Sequence, residues 1–323
     1  MQQNVKADPC SVLENININN TEHQKFILSR DKHTRIEGLV TEALFYDEII
    51  KGQFKKCTSG FWFKRDGNRF KVTKVLVSSA DLRQIDYDIL NYFLLKGLSC
   101  YVVWFVPDQR EFFYVKYVGQ TINFESEHSK YPKNPKKALI PKETDRDCKR
   151  HQQASEYLER SGFLYKSAVE RMFVNCWLGD VFLWDVDYIA VYKDHLVAFE
   201  VKQKYPTRMG TYGLNTGLVY LFSFLESVGI AVIHVVLRKP TRDFNIPAID
   251  LYTKPEYRAL TDWVAIRFKD EVLTKSQSKA PAFTSIGGGQ ALDYYHVDAE
   301  RFVFLKRLGD PDNGLLSFLE KSV

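Results

Sequence analysis

The stretch Trp184-Asp185-Val186-Asp187-Tyr188-Ile189-Ala190-Val191-Tyr192, followed after a polar break by Ala198-Phe199-Glu200-Val201-Lys202, constrains this chain more than any other segment. Both runs are rich in β-branched and aromatic residues, and Lys193-Asp194-His195 between them reads as the tip of a hairpin. Side chains alternate along a strand, so Asp185 and Asp187 are expected on one face of the first run, and Glu200 and Lys202 on one face of the second. Pairing the two runs gathers acids and an ammonium into one small patch. Two adjacent carboxylates suit a hard divalent cation such as Mg²⁺, which takes oxygen ligands and keeps several waters. A lysine beside that cation can orient or deprotonate an attacking water.

An acid opening an apolar strand, here Asp187, followed by Glu200-Val201-Lys202 on the next, resembles the signature of the PD-(D/E)XK nuclease superfamily. The likeness spans about residues 150–240, with a helix carrying Glu170 before the hairpin and a helix–strand pair after it. It implies a restriction-endonuclease-like α/β fold, a mixed central sheet flanked by helices. The expected activity is Mg²⁺-dependent hydrolysis of DNA phosphodiesters by an endonuclease, with Mn²⁺ as a substitute, in restriction, defence, phage or mobile-element biology. A non-catalytic nucleic-acid-binding or assembly protein on the same fold, and an RNA-directed nuclease, are the alternatives. In the nuclease reading Asp187, Glu200 and Lys202 are catalytic. Asp187, Glu200 and the Val201 carbonyl hold metal, with Glu170 and Asp185 as further candidates. Lys202 holds the water, and the dication neutralises charge on the scissile phosphate and the leaving oxygen.

At 323 residues the chain has room for two domains. Its five cysteines, Cys10, Cys57, Cys100, Cys148 and Cys176, are scattered without a CxxC pair, which fits reduced thiols in a cytoplasmic protein better than a disulfide framework or a zinc knuckle. No run of eighteen apolar residues occurs, so no membrane span is expected, and Met1-Gln2-Gln3-Asn4-Val5-Lys6 lacks the apolar core of a secretory signal. The net charge of +5 tilts toward a polyanionic partner. Cutting both strands of a duplex calls for two sites, hence the expectation of a homodimer.

Along the chain, apolar spacing predicts a helix over 31–51, a hairpin turning at Asp66-Gly67-Asn68, a helix over 84–96 and a buried strand Cys100–Val106. Residues 125–147, rich in lysine and proline, read as a linker or an exposed basic loop. Helices follow from Thr144 to Gly162 and over 164–177. After the acidic hairpin come a loop, Thr207–Asn215, a helix, Leu214–Val228, and the apolar strand of residues 230–237. Residues 31–106 and 164–237 run through the same order of elements, yet no acid lies between Phe70 and Ser79 where the second half carries Glu200. This gives an N-terminal α/β domain at 1–124, a degenerate nuclease-like copy, then the linker, a catalytic domain at 148–275 and a C-terminal extension at 276–323.

Gln203, Lys204, Tyr205, Arg208 and Tyr212, beyond the catalytic lysine, are candidates for gripping a phosphate backbone or stacking on bases. Tyr117-Val118-Gly119 resembles half of a GIY-YIG signature whose partner tripeptide is missing. His234 inside an apolar strand reads as a packed core histidine, and Gly287-Gly288-Gly289 as a loop rather than a phosphate cradle.

Overall fold

A computed structural model describes residues 17–29, 33–67, 69–133, 145–178, 183–242, 246–269, 273–279 and 291–323. In chain order the elements are helices α1 (Thr21–Ser29) and α2 (His33–Phe45), the latter prolonged by a π-turn segment, Tyr46–Ile50. Strands β1 (Cys57–Thr58), β2 (Phe61–Asp66) and β3 (Arg69–Leu76) follow, then α3 (Gln84–Leu95), β4 (Ser99–Val106), β5 (Glu111–Tyr117) and β6 (Ser129–Lys130). Helices α4 (Asp145–Arg160) and α5 (Phe163–Phe173) come next, with a second π-turn segment, Val174–Leu178. The rest is β7 (Leu183–Val186), β8 (Tyr188–Tyr192), β9 (His195–Lys204), β10 (Thr211–Asn215), α6 (Thr216–Ser227), β11 (Ala231–Arg238), two short helices, Ala248–Thr253 and Pro255–Arg258, β12 (Asp262–Arg267), β13 (Thr274–Lys279), β14 (Ala291–Asp298), β15 (Val303–Arg307) and a last helix, Leu315–Ser322. The fold is mixed α/β, and among the described residues no helix is long and apolar enough to cross a membrane.

Two compact units result, and neither is continuous in sequence. Unit 1 comprises Met1–Leu39 and Gly60–Asp185; unit 2 comprises Val40–Ser59 and Val186–Val323. Unit 1 is built on a sheet of order β6-β5-β4-β3-β2-β7, and unit 2 on one of order β1-β8-β9-β11-β12-β15 beside a small sheet, β10-β14-β13. Each large sheet therefore takes its edge strand from the segment that precedes the other sheet's hairpin. The expected boundaries at 124, 148 and 275 are replaced accordingly. The stretch 148–185 goes with unit 1, and the supposed C-terminal extension completes unit 2, with β15 antiparallel to β12 and β14 antiparallel to β10. Residues 134–144 of the lysine- and proline-rich linker, and the triple glycine, lie outside the described residues.

The internal repeat is visible in the register. Both hairpins have two-residue tips, closed by the Asp66–Arg69 pair in unit 1 and the Tyr192–His195 pair in unit 2. Lys193 and Asp194 both adopt positive φ, 45° and 66°, the mirror-image turn that matches the twist of paired strands. In each unit the second hairpin strand then runs parallel to the strand after the next helix, β3 with β4 and β9 with β11. Counting the same rungs back from the two tips, Phe61 takes the place of Asp187, Lys74 that of Glu200 and Leu76 that of Lys202.

Packing follows from the apolar faces. In unit 2, Phe45 on the last turn of α2 touches Tyr188, Phe199 and Trp263 at ring distances of 6.0, 5.7 and 5.5 Å. In unit 1, Phe93 of α3 packs on Phe61 and Phe63, while Phe173 and Trp177 pack on Phe112. Each aromatic pair adds roughly 0.5–1.5 kcal/mol beyond the area it buries. Gly60, where the chain passes from unit 2 to unit 1, has φ 79°, and a Cβ there would meet the Val75 carbonyl at 2.9 Å. Cys57, Cys100 and Cys176 are free thiols.

Unit 1 buries an ion pair where unit 2 has its acid. Lys74 Nζ lies 2.8 Å from Asp86 of α3, with both side chains almost fully enclosed. Burial pulls the Lys74 ammonium down to about 8, against the opposing pull of Asp86. The unfolded chain keeps that proton up to the ordinary lysine value, so stability rises as pH climbs from about 8 to 10.5. We expect Lys74→Met to cost about 3–5 kcal/mol in urea unfolding, because it strands a buried carboxylate. Lys74→Met with Asp86→Leu should recover most of that loss and flatten the alkaline rise; a double variant as unstable as the single one would contradict the assignment.

Candidate active site in unit 2

The acidic hairpin folds as its alternation requires, with one break. Tyr188 pairs with Phe199, and Asp187, one residue earlier, sits at the joint between β7 and β8. Its amide donates to the Phe199 carbonyl at 3.1 Å, and its Oδ2 accepts from the Val201 amide at 2.5 Å. The carboxylate thus takes up a strand N–H in place of a backbone carbonyl, which fixes its direction. Glu200 and Lys202 share a face of β9, and Lys202 Nζ lies 2.5 Å from Glu200 Oε1 and 3.9 Å from Asp187 Oδ2. The two carboxylates are 3–5% exposed and the lysine about a third, so the patch opens to solvent on the ammonium side.

Charge balance within the patch explains its protonation. Burial by itself would lower the Lys202 ammonium, but Asp187, Glu200 and Glu42 outweigh it and raise the lysine well above its ordinary value. Glu42 stands in the last turn of α2, and its carbonyl accepts a hydrogen bond from the buried Tyr188 hydroxyl at 3.0 Å. Burial, then Glu42 and Asp187, push that phenol far up. His234, in register with Glu200 on the neighbouring parallel strand, places Nδ1 3.2 Å from the Glu200 carbonyl. A carbonyl only accepts, so Nδ1 carries the hydrogen. Burial first, then Lys204 and Lys202, hold this ring neutral. The core reading of His234 stands, with the addition that it pins the main chain of Glu200.

Asp187, Glu200, Val201 and Lys202 come together; the other candidates do not all join them. Asp185 was expected on the same strand face as Asp187, but it ends unit 1 on β7, in a different sheet. Glu170 belongs to unit 1, where it lies 3.8 Å from Lys166 and faces Gly60. Its counterpart in unit 2 is Glu42, the acid in the last turn before the other π-turn segment. Sequence reading missed Glu42; the signal available was its place ahead of the first copy of the repeated hairpin.

Among the nucleic-acid candidates, Tyr205 is half-buried and Arg208 exposed in the turn after β9, whose Thr207 carbonyl is held by Arg242 at 2.8 Å. Gln203 is half-buried, and Lys204 donates to the Gly213 carbonyl. Tyr212 is overturned as a stacking residue. Within the expected loop Thr207–Asn215, the stretch Thr211–Asn215 forms β10 against β14, and Tyr212 is 1% exposed with its ring edge-on to Phe302 at 4.8 Å.

Among the described residues no three His, Cys, Asp or Glu side chains form a group able to hold a metal ion. A closed protein cage of the zinc or calcium kind is thus absent from them. Two carboxylates with a neighbouring main-chain carbonyl do fit Mg²⁺, which binds through one or two carboxylates and completes its shell with water and phosphate oxygens. No protein-family model, curated protein or solved structure matches this chain.

The exchanged helices make a direct contrast. Glu42→Gln removes a negative charge acting on Lys202 and should lower the lysine's pKa as followed by NMR of its ε-carbon, whereas Glu170→Gln should leave that titration in place. Equal effects from the two variants would sink the assignment of Glu42 to this site.

Proposed function

We propose that unit 2 is a Mg²⁺-dependent phosphodiesterase of the restriction-endonuclease-like class, acting on DNA as an endonuclease. The observation that carries this reading is the convergence of Asp187 and Glu200, from neighbouring strands, on the one ammonium of Lys202. A structural ion pair would need one acid. Two buried acids around one partly exposed cation leave the patch with an excess of negative charge behind the ammonium, which a dication would compensate. The hairpin joined to the parallel pair β9–β11 through helix α6 supports the fold-class part of the proposal.

Asp187 and Glu200, with the Val201 carbonyl, are the groups that would hold the cation, which supplies charge neutralisation at the scissile phosphate and a more acidic water. The protein's own part is positioning. The Val201 amide fixes the Asp187 carboxylate, and His234 fixes the strand bearing Glu200. Lys202, kept protonated by its acids, serves as a donor that holds a water or a phosphate oxygen, not as the resting general base. With Asp187 and Glu200 engaged in holding a cation, Lys202 would keep N–H groups available to the substrate. Cutting both strands would then require two chains, each bringing one site.

Incubation with plasmid, linear DNA or RNA in Mg²⁺ or Mn²⁺ tests this. We expect DNA cleavage, abolished by a chelator, and a loss of at least about 100-fold in Glu200→Ala and Lys202→Ala, the scale for removing one preorganised charge-stabilising group. Intact substrates under every metal would point to a binding protein on the same fold, cleavage of RNA alone to a ribonuclease, and wild-type rates in the variants to a different site.

A further inference from the structure

We propose that the end of the unit 1 sheet face left uncovered by α5 is a platform for single-stranded nucleic acid. The strand register places Lys64 opposite Lys71, Lys71 beside Ser99, Tyr101 opposite Lys116, and Tyr114 opposite Ser129. Paired residues share a side of a sheet, and alternation keeps Tyr101 with Ser99 and Tyr114 with Lys116. One face therefore carries Lys64, Lys71 and Lys116 together with Tyr101 and Tyr114.

The tyrosines form a row across successive strands. Tyr101 and Tyr114 have ring centroids 6.5 Å apart, and Tyr131, just past β6, lies 5.2 Å from Tyr114. The row ends against Phe173, where α5 takes over the cover of this face. All three tyrosines are half-buried, and Lys116 is exposed. Asp66, on the same face at the hairpin tip, lies 2.7 Å from Lys71, and the lysines outnumber it. Partly accessible tyrosines on a sheet, flanked by an excess of lysines, match what unpaired bases and their phosphates require: π-faces to stack on, cations for the backbone. A duplex has its bases already stacked and offers such rings little, so the geometry favours a single strand. This goes beyond the proposed cleavage, because it concerns unit 1 and holds whether or not unit 2 cuts.

Fluorescence anisotropy of the full chain in chelator, with labelled oligothymidylate of about 16 nucleotides and a duplex of the same length, tests the platform. We expect the single strand to bind more tightly, and Tyr101→Ala with Tyr114→Ala to weaken it about tenfold or more, the scale of lost base stacking. Tyr101→Phe with Tyr114→Phe should retain binding. Lys71→Gln with Lys116→Gln should make the salt dependence shallower by about 0.7 in logarithmic slope per lysine, which carries the test if the alanine variant does not fold. Tighter binding of the duplex, wild-type affinity in the alanine variant, or an unchanged salt slope would each overturn the proposal. The binding is read in chelator, where the proposed cleavage does not run, so a failure of cleavage and a failure of the platform read out separately.

Discussion

Two carboxylates and one ammonium, enclosed at the end of a hairpin, set the terms for unit 2. A buried carboxylate costs several kcal/mol unless charge and hydrogen bonds compensate it. Here compensation comes from Lys202 and from the Val201 amide, both on the strand that carries Glu200. Asp187 can sit at the joint between β7 and β8 because its side chain occupies the ladder position that a backbone carbonyl would otherwise fill. The positions of β8, β9 and β11 then follow, since the histidine on β11 meets the Glu200 carbonyl only in the observed register.

Unit 1 shows the same scaffold with that constraint removed. Phe61 and Leu76 stand where unit 2 has Asp187 and Lys202, and Lys74 stands in place of Glu200, answered by Asp86 from α3. Here the buried acid faces a buried base rather than a second acid, so the enclosed pair carries no excess of negative charge. The two halves thus differ less in architecture than in whether the charge within the hairpin is balanced. Gly60 is the point at which the chain leaves one unit for the other, and its positive φ and tight approach to Val75 make that crossing possible without a side chain.

What was legible in the sequence was local. The hairpin of residues 184–202 shows itself through alternation, and its polar tip becomes a two-residue turn with two left-handed residues. Helix α6 is announced by its apolar spacing, and Asn215 caps it, accepting from the Leu218 amide at 2.8 Å. The parallel β11 is readable as an unbroken apolar run because both its faces are covered. Tertiary choices were not legible. Glu42 and Glu170 occupy like positions on like helices, and periodicity cannot say which sheet a helix will pack against. Tyr212 sits between two glycines, a loop signal locally, yet β14 recruits that segment from far along the chain. Asp185 and Asp187 alternate as if on one strand, and only the passage from one sheet to the other separates them.

The exchange of helix and edge strand between the units has a consequence for how the chain is made. Segment Val40–Ser59 leaves the ribosome long before Val186, and unit 2 cannot close around it until the strand Val303–Arg307 has emerged. At about 5–20 residues per second, translation of the intervening segment alone takes on the order of ten seconds. During that time Phe45, Ile49 and Ile50 are apolar residues awaiting a sheet not yet synthesised. Unit 1 has the opposite schedule, since Asp185 completes it while its counterpart is still being built. Biogenesis of this protein is therefore ordered, with the first half finishing early and the second held open by a segment translated ahead of its partner.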